Sequence, residues 1–271
     1  MHERLVQECI ALLNSITEAT INAVQTPHSD GSVKALEVAR DEQLGDGIFP
    51  IPFAFAHEMH ETLVYGAGER LITLTWCLNT RPPHMLSANE LARATAEAAA
   101  AAAWLGDAAA DGEERIQRLL GLLKISDEEE AKLGKAIKRD LTSGGTQLIL
   151  DWAENRGTRA KGPGSKTDLL ERVSADTGRA DYSRLSAFAH GTLWSVIAGY
   201  LEVTMARQGN LGPIQVHSVQ IATVAAHYML AGLHSLLRVK GHSMDQLAGL
   251  GSRLELLDAR TTQAFQHTDW H

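Results

Sequence analysis

Between Ile214 and Leu237 the chain runs for 24 residues without one Asp, Glu, Lys or Arg, and only then reaches Arg238 and Lys240. A helix of that length can cross a bilayer, so the stretch must be buried either in hydrocarbon or in protein. Gln215, His217, Gln220, His227 and His234 decide between the two, because polar side chains are costly to leave unpaired in lipid and no comparable apolar span exists to partner this one. The stretch is therefore predicted to be a central helix of a large bundle, apolar all round because protein surrounds it. With 271 residues, 44% of them hydrophobic, the chain can fill such a core as a single all-helical domain over residues 1–271.

A second apolar helix is expected from Asp181 to Thr204, with Asp181 as its N-cap and no charge from Leu185 to Leu201. Leu185, Phe188, Leu193, Trp194, Ile197, Tyr200 and Leu201 recur at helical spacing, while Tyr182, Ser186 and His190 stand four apart and form a polar seam. Residues 3–24, 33–41 and 52–79 also read as helices, separated by Pro27 and by the GDGIFPIPF loop. Ser87, Asp111, Ser126 and Ser165 each precede an acidic residue by three positions, the spacing of a capping box. They would start an alanine-rich helix, helices near 112–123 and 127–139, and a short one to about Ser174. QLILDWAEN reads as either a short helix or a strand, and Arg156–Lys166 as a mobile surface loop. Without hairpin alternation or a fixed repeat, the expectation is an all-α bundle of roughly eight to ten helices with two charge-free helices at its centre.

The net charge of -8 argues against broad attachment to nucleic acid or anionic membrane, so only a local basic patch could hold phosphate. Arg156, Arg159, Lys161 and Lys166, with Arg172 and Arg179 beyond, form the best such patch for nucleic acid, although acids are interleaved with them. Cys9 and Cys77 lack the spacing of a thiolate zinc site or a disulfide framework, and the acidic amphipathic start shows no signal peptide, which together point to the cytoplasm. Walker, Rossmann, nucleophile-elbow and EF-hand patterns are absent from the sequence.

Four groups remain as candidate sites. His190 could act as general acid or base, with Tyr182 and Ser186 beside it on the seam and Arg184 nearby. Arg93 and Glu97, spaced i,i+4 on the alanine-rich helix, would form either an intrahelical ion pair or, facing His190, a ligand pocket. His227 and His234, seven apart, read as ligand-binding groups or as core histidines satisfied by neighbouring oxygens. The HEMHE run from His57 to Glu61 departs from the zinc-protease spacing; a His/carboxylate metal site with a further ligand from elsewhere is geometrically allowed, but a solvated polar face is the preferred reading, and no metal or cofactor is assigned.

The run from Arg184 to His190, R-L-S-A-F-A-H, resembles the arginine–histidine motif of the HEPN superfamily, helical bundles that include metal-independent ribonucleases. The resemblance implies His190 as acid/base and Arg184 as phosphate clamp, with tRNA or single-stranded RNA as substrate. Residues 91–191 also resemble a group of uncharacterised bacterial all-helical proteins with a Y-x-x-L-S-x-x-x-H pattern, which implies the fold and no activity. Three readings stay open: an RNA-directed protein, a small-molecule-binding or catalytic bundle around Arg93, Glu97 and His190, and a non-enzymatic interaction protein. The partners admitted are accordingly RNA, a small molecule or a second copy of the chain, and no membrane.

Overall fold

The computed structural model describes residues 2–47, 49–81, 83–137, 144–189 and 193–268. All regular structure among them is helical, as expected of an all-α bundle. The core is built by four long helices, α1 (His2–Gln25), α4 (Pro52–Asn79), α5 (Met85–Leu105) and α11 (Gly212–Lys240), with α12 (Asp245–Gln266) closing over α1 and α11. The long α6 (Gly112–Ile137) and shorter elements surround them: α2 (Val33–Val38), α3 (Asp41–Leu44), α7 (Gly144–Asn155), α8 (Lys166–Val173), α9 (Gly178–Ala189) and α10 (Leu193–Arg207). No helix among the described residues is long and apolar enough to cross a membrane.

The charge-free stretch is the central helix, α11, packed against α5, α1, α4 and α12. Its approach to α5 is close because both faces carry small residues: a Cβ added at Gly232 would lie 3.0 Å from Ala99 O. The alanine run of α5 thus sets the thickness of the core, since short side chains let backbones come together. Protein does not surround α11 on every side, however. His227, His234 and Arg238 are exposed along one stripe, which explains why this helix carries histidines at all.

The second apolar stretch behaves differently from expectation. It forms α9 and α10 on either side of residues 190–192, which lie outside the described residues, so His190 has no described position. Asp181 stands inside the first turn of α9, three residues after Gly178, and accepts hydrogen bonds from Thr177 Oγ1 and Tyr228 Oη instead of capping the helix. α10 is peripheral, with Ile197, Tyr200, Leu201 and Val203 exposed. Spacing records which residues share a face, but only packing decides whether that face is covered.

Capping signals mark a true helix start where no helix is already running. Asp111 Oδ1 accepts from Glu114 N–H at 2.7 Å, and Ser165 with Asp168 forms both bonds of a capping box. Ser126 is instead interior to α6, where it donates to Glu130, so the two helices expected over 112–139 are one. α5 starts at Met85, two residues before Ser87, and Glu202 of α10 accepts the Met85 N–H at 3.3 Å. QLILDWAEN is helical in α7, whose Trp152 packs edge-on against Phe49 at 5.0 Å in a second cluster with Phe53, Ile116 and Leu120.

Candidate functional site

The last carbonyls of α5 have no further helical turn to satisfy them, and two arginines of α6 take that role. Arg115, 0% exposed, donates from Nη1 to Leu105 O at 2.6 Å and from Nη2 to Asp107 O and Ala110 O at 3.3 and 3.2 Å. Arg118 donates to Trp104 O, lies 5.4 Å from the centroid of the Trp104 ring, and has its charge met by Asp107 and Glu114. Cations at this end of α5 also oppose the negative pole of its dipole.

Arg115 is anchored by Glu37 of α2, whose Oε2 accepts from Arg115 Nε at 3.0 Å and from His57 Nε2 at 2.9 Å. Burial works to raise the Glu37 carboxyl, but the hydrogen bonds from His57 and Arg115 and the guanidinium charge outweigh it and hold its pKa below normal. His60 is one turn further along α4. Its Nε2 lies 2.9 Å from Ser235 Oγ, and because the Ser235 hydroxyl donates to Gly232 O at 2.7 Å, the imidazole must be the donor. Ser235 is therefore an acceptor here, not an activated nucleophile. Burial is the main cause that lowers the pKa of both His57 and His60, so the two rings are neutral. HEMHE is thus no solvated face: His57 and His60 are buried at 1% and 0% exposure. Among the described residues no group of three metal-ligating side chains converges.

Gly106 and Ser235, which adjoin His60, also line a cavity of about 480 Å³ between α5, α6, α8 and α11. Ala100, Ala103, Ala108 and Ala231 leave it open where larger side chains would fill it, and Trp104 forms part of the wall. Its charged lining comprises Arg118, Arg172 and Arg238, with Asp107 as the opposing carboxylate. Asp107 is engaged by Arg118, whereas Arg172 and Arg238 make no ion pair or hydrogen bond with a described residue. His234 stands beside Arg238; burial first, and then that charge, lowers its pKa and keeps it neutral near pH 7. Trp104 Nε1, closed off from solvent, has no hydrogen-bond partner.

The chain matches no protein-family model, no curated protein and no solved structure.

The remaining expected site residues fall in separate places. Arg93 Nε donates to Glu97 Oε1 at 2.7 Å and Arg93 Nη2 to Tyr182 Oη at 3.2 Å, while Lys166 Nζ lies 3.1 Å from Glu97 Oε2. Three residues named from sequence and one from the basic loop therefore meet in a half-buried charge cluster, of which Ser186 is no part: it is buried, with its Oγ unpartnered. Arg184 and His227 line another cavity, of about 460 Å³, with Asp181, Glu255 and Asp258. His227 and His234 are exposed, so neither is a satisfied core histidine, and they belong to different cavities. The basic loop, expected to be mobile, is pinned across α6. Lys161 N–H donates to Gln117 O at 2.8 Å, and Gly121 lets the strand of chain cross where a Cβ would lie 2.2 Å from Lys161 O. Arg156 pairs with Asp46 at 3.1 Å and Lys161 with Glu114, leaving Arg159 exposed.

Arg115, Arg118 and Arg238 were not singled out from the sequence. Arg115 and Arg118 did leave a signal in GEERIQRLL: Arg115 shares a face with Leu119 and Leu122, and an arginine on an apolar face needs buried acceptors. Arg238 left none, because nothing in its own helix marks it as lacking a counter-ion.

Proposed function

We propose that this helical protein binds a small anionic molecule in the cavity between α5, α6, α8 and α11. The observation that carries this reading is the pair Arg172 and Arg238, two guanidiniums that face one cavity and form no contact ion pair or hydrogen bond with a described residue, in a chain whose net charge is -8. Elsewhere the acidic residues find most of the cations: Arg156, Lys161 and Lys166 are each held by a carboxylate. The cavity lies within the size range of small-molecule sites and combines an apolar wall with a few convergent polar groups.

An RNA reading built on Arg184 and the basic loop draws less support. Three carboxylates share the cavity of Arg184, and like charge repels a phosphate backbone. Thermal unfolding in the presence of 5 mM probes, a roughly millimolar-affinity window, tests the reading. Phenyl phosphate and benzoate should raise the midpoint and benzylamine should not, and Arg172→Gln/Arg238→Gln should abolish the effect. Absence of any anion effect, with oligouridylate still bound by the doubly substituted protein, would favour RNA instead.

A further inference from the structure

Resting on that reading, we propose that the ligand is a phosphate monoester, its dianionic head bridging Arg172 and Arg238 while its organic part lies along the alanine and Trp104 wall. Each guanidinium presents five N–H donors in a planar fork. A single carboxylate has two oxygens and is satisfied by one fork, which would leave the second arginine uncompensated. A phosphate monoester has three terminal oxygens and close to two negative charges at pH 7, which matches two guanidinium forks whose donors no described carboxylate engages. Both arginines stand in the last turns of their helices, α8 and α11, where a cation also suits the dipole; neither donates to a terminal carbonyl, so both forks are available. The cavity of about 480 Å³ is far larger than an inorganic phosphate, and Ala100, Ala103 and Ala231 leave that extra room apolar.

His234 gives the assignment a signature of its own. The charged groups around it are Arg238 from its own helix, Arg172 from α8, Arg118 from α6 and Asp107 from the turn after α5, while α5 itself contributes only alanines and Trp104. Burial first, and then the charge of Arg238 among these groups, favours the neutral imidazole. A dianion arriving among them reverses the local field, so His234 takes up a proton and becomes a further donor to the phosphate.

Calorimetric titration of the full chain at pH 7.0 with phenyl phosphate, phenyl sulfate and benzoate, in two buffers of different protonation enthalpy, tests this. Phenyl sulfate keeps the tetrahedral shape and removes one charge; benzoate removes both shape and charge. Phenyl phosphate should bind at least about tenfold more tightly than either, equivalent to about 1.4 kcal/mol, and with net proton uptake. Arg172→Gln and Arg238→Gln should each bring phenyl phosphate down to the level of phenyl sulfate, and His234→Asn should remove the proton uptake while binding persists. Equal affinity for benzoate and phenyl phosphate would overturn the phosphate assignment and leave the anion cavity standing. Failure of all three anions to bind, or binding indifferent to both arginine substitutions, would overturn the cavity as well. These three side chains are exposed, so unchanged unfolding curves of the variants separate loss of binding from loss of fold.

Discussion

Replacing Arg115 with methionine should cost this protein a large part of its stability and loosen the candidate site at the same time. Arg115 satisfies the Glu37 carboxylate together with the carbonyls of Leu105, Asp107 and Ala110, and all of these bonds but the one to Asp107 are buried. Arg115→Met leaves Glu37 with His57 as its only close partner among the described residues, an uncompensated buried charge, and breaking a buried pair in this way costs about 3–5 kcal/mol. Domains of ordinary stability have about 5–15 kcal/mol in total, so the variant should unfold at much lower urea with an unchanged slope. Adding Glu37→Leu removes the stranded carboxylate, and the double variant should be less destabilised than the sum of the singles by about 1–3 kcal/mol. A single-variant loss below about 1 kcal/mol, or strict additivity of the two, would refute the reasoning. Because Arg115 ties down the turn that supplies Gly106, Asp107 and Ala108 to the cavity, anion binding should weaken in the variant even where it remains folded.

Gly106→Ala should destabilise by about 1–3 kcal/mol, since the new Cβ would fall 2.0 Å from Cε1 of the buried His60 ring, which Ser235 holds by a hydrogen bond; an unfolding curve that overlays wild type would show that the ring can move. Acid should weaken the fold before its carboxylates titrate. Burial, and then the charge of Arg184, lowers the His217 pKa from 6.5 to about 4, so below pH 6.5 the unfolded chain binds a proton that the folded chain refuses. Stability is full above pH 6.5 and falls by roughly 3 kcal/mol between there and pH 4 from His217 alone, with His57 and His60 acting in the same direction. Glu37, whose folded pKa is depressed, adds its own loss only as the pH falls below the ordinary carboxylate value. Urea unfolding at pH 7.5, 6.5, 5.5 and 4.5 measures the slope, which His217→Gln should flatten; a wild-type curve level down to pH 5 would contradict the argument.

How far the sequence reached depended on whether a feature was local. The all-α class and the central place of α11 followed from charge-free length and helical spacing, and Asp111 and Ser165 followed from cap chemistry that involves only the next few residues. The failures came where a distant segment outweighed the local signal. Ser87 was not needed as a cap because Glu202, over a hundred residues away, accepts at the start of α5. Ser126 had the cap spacing but sat in a helix already running through it. Ile197, Tyr200, Leu201 and Val203 of α10 looked central and are exposed, because periodicity cannot say whether a neighbour arrives to cover a face.

The same distinction explains what was visible of the candidate site. Arg93 with Glu97 was legible as a pair because the two are one helical turn apart, and Tyr182 joins them only through the fold. The cavity is assembled from α5, α6, α8 and α11, so its cations are more than fifty residues apart in the chain, and their own neighbours in sequence do not point to one another. What marks Arg172 and Arg238 is that two guanidiniums with no described carboxylate in contact face one cavity, and that property belongs to no single residue. It appears only when every carboxylate near them has been placed. Charged side chains that could find a partner and do not are therefore the most informative residues here, since a fold with an excess of acid had the means to neutralise them.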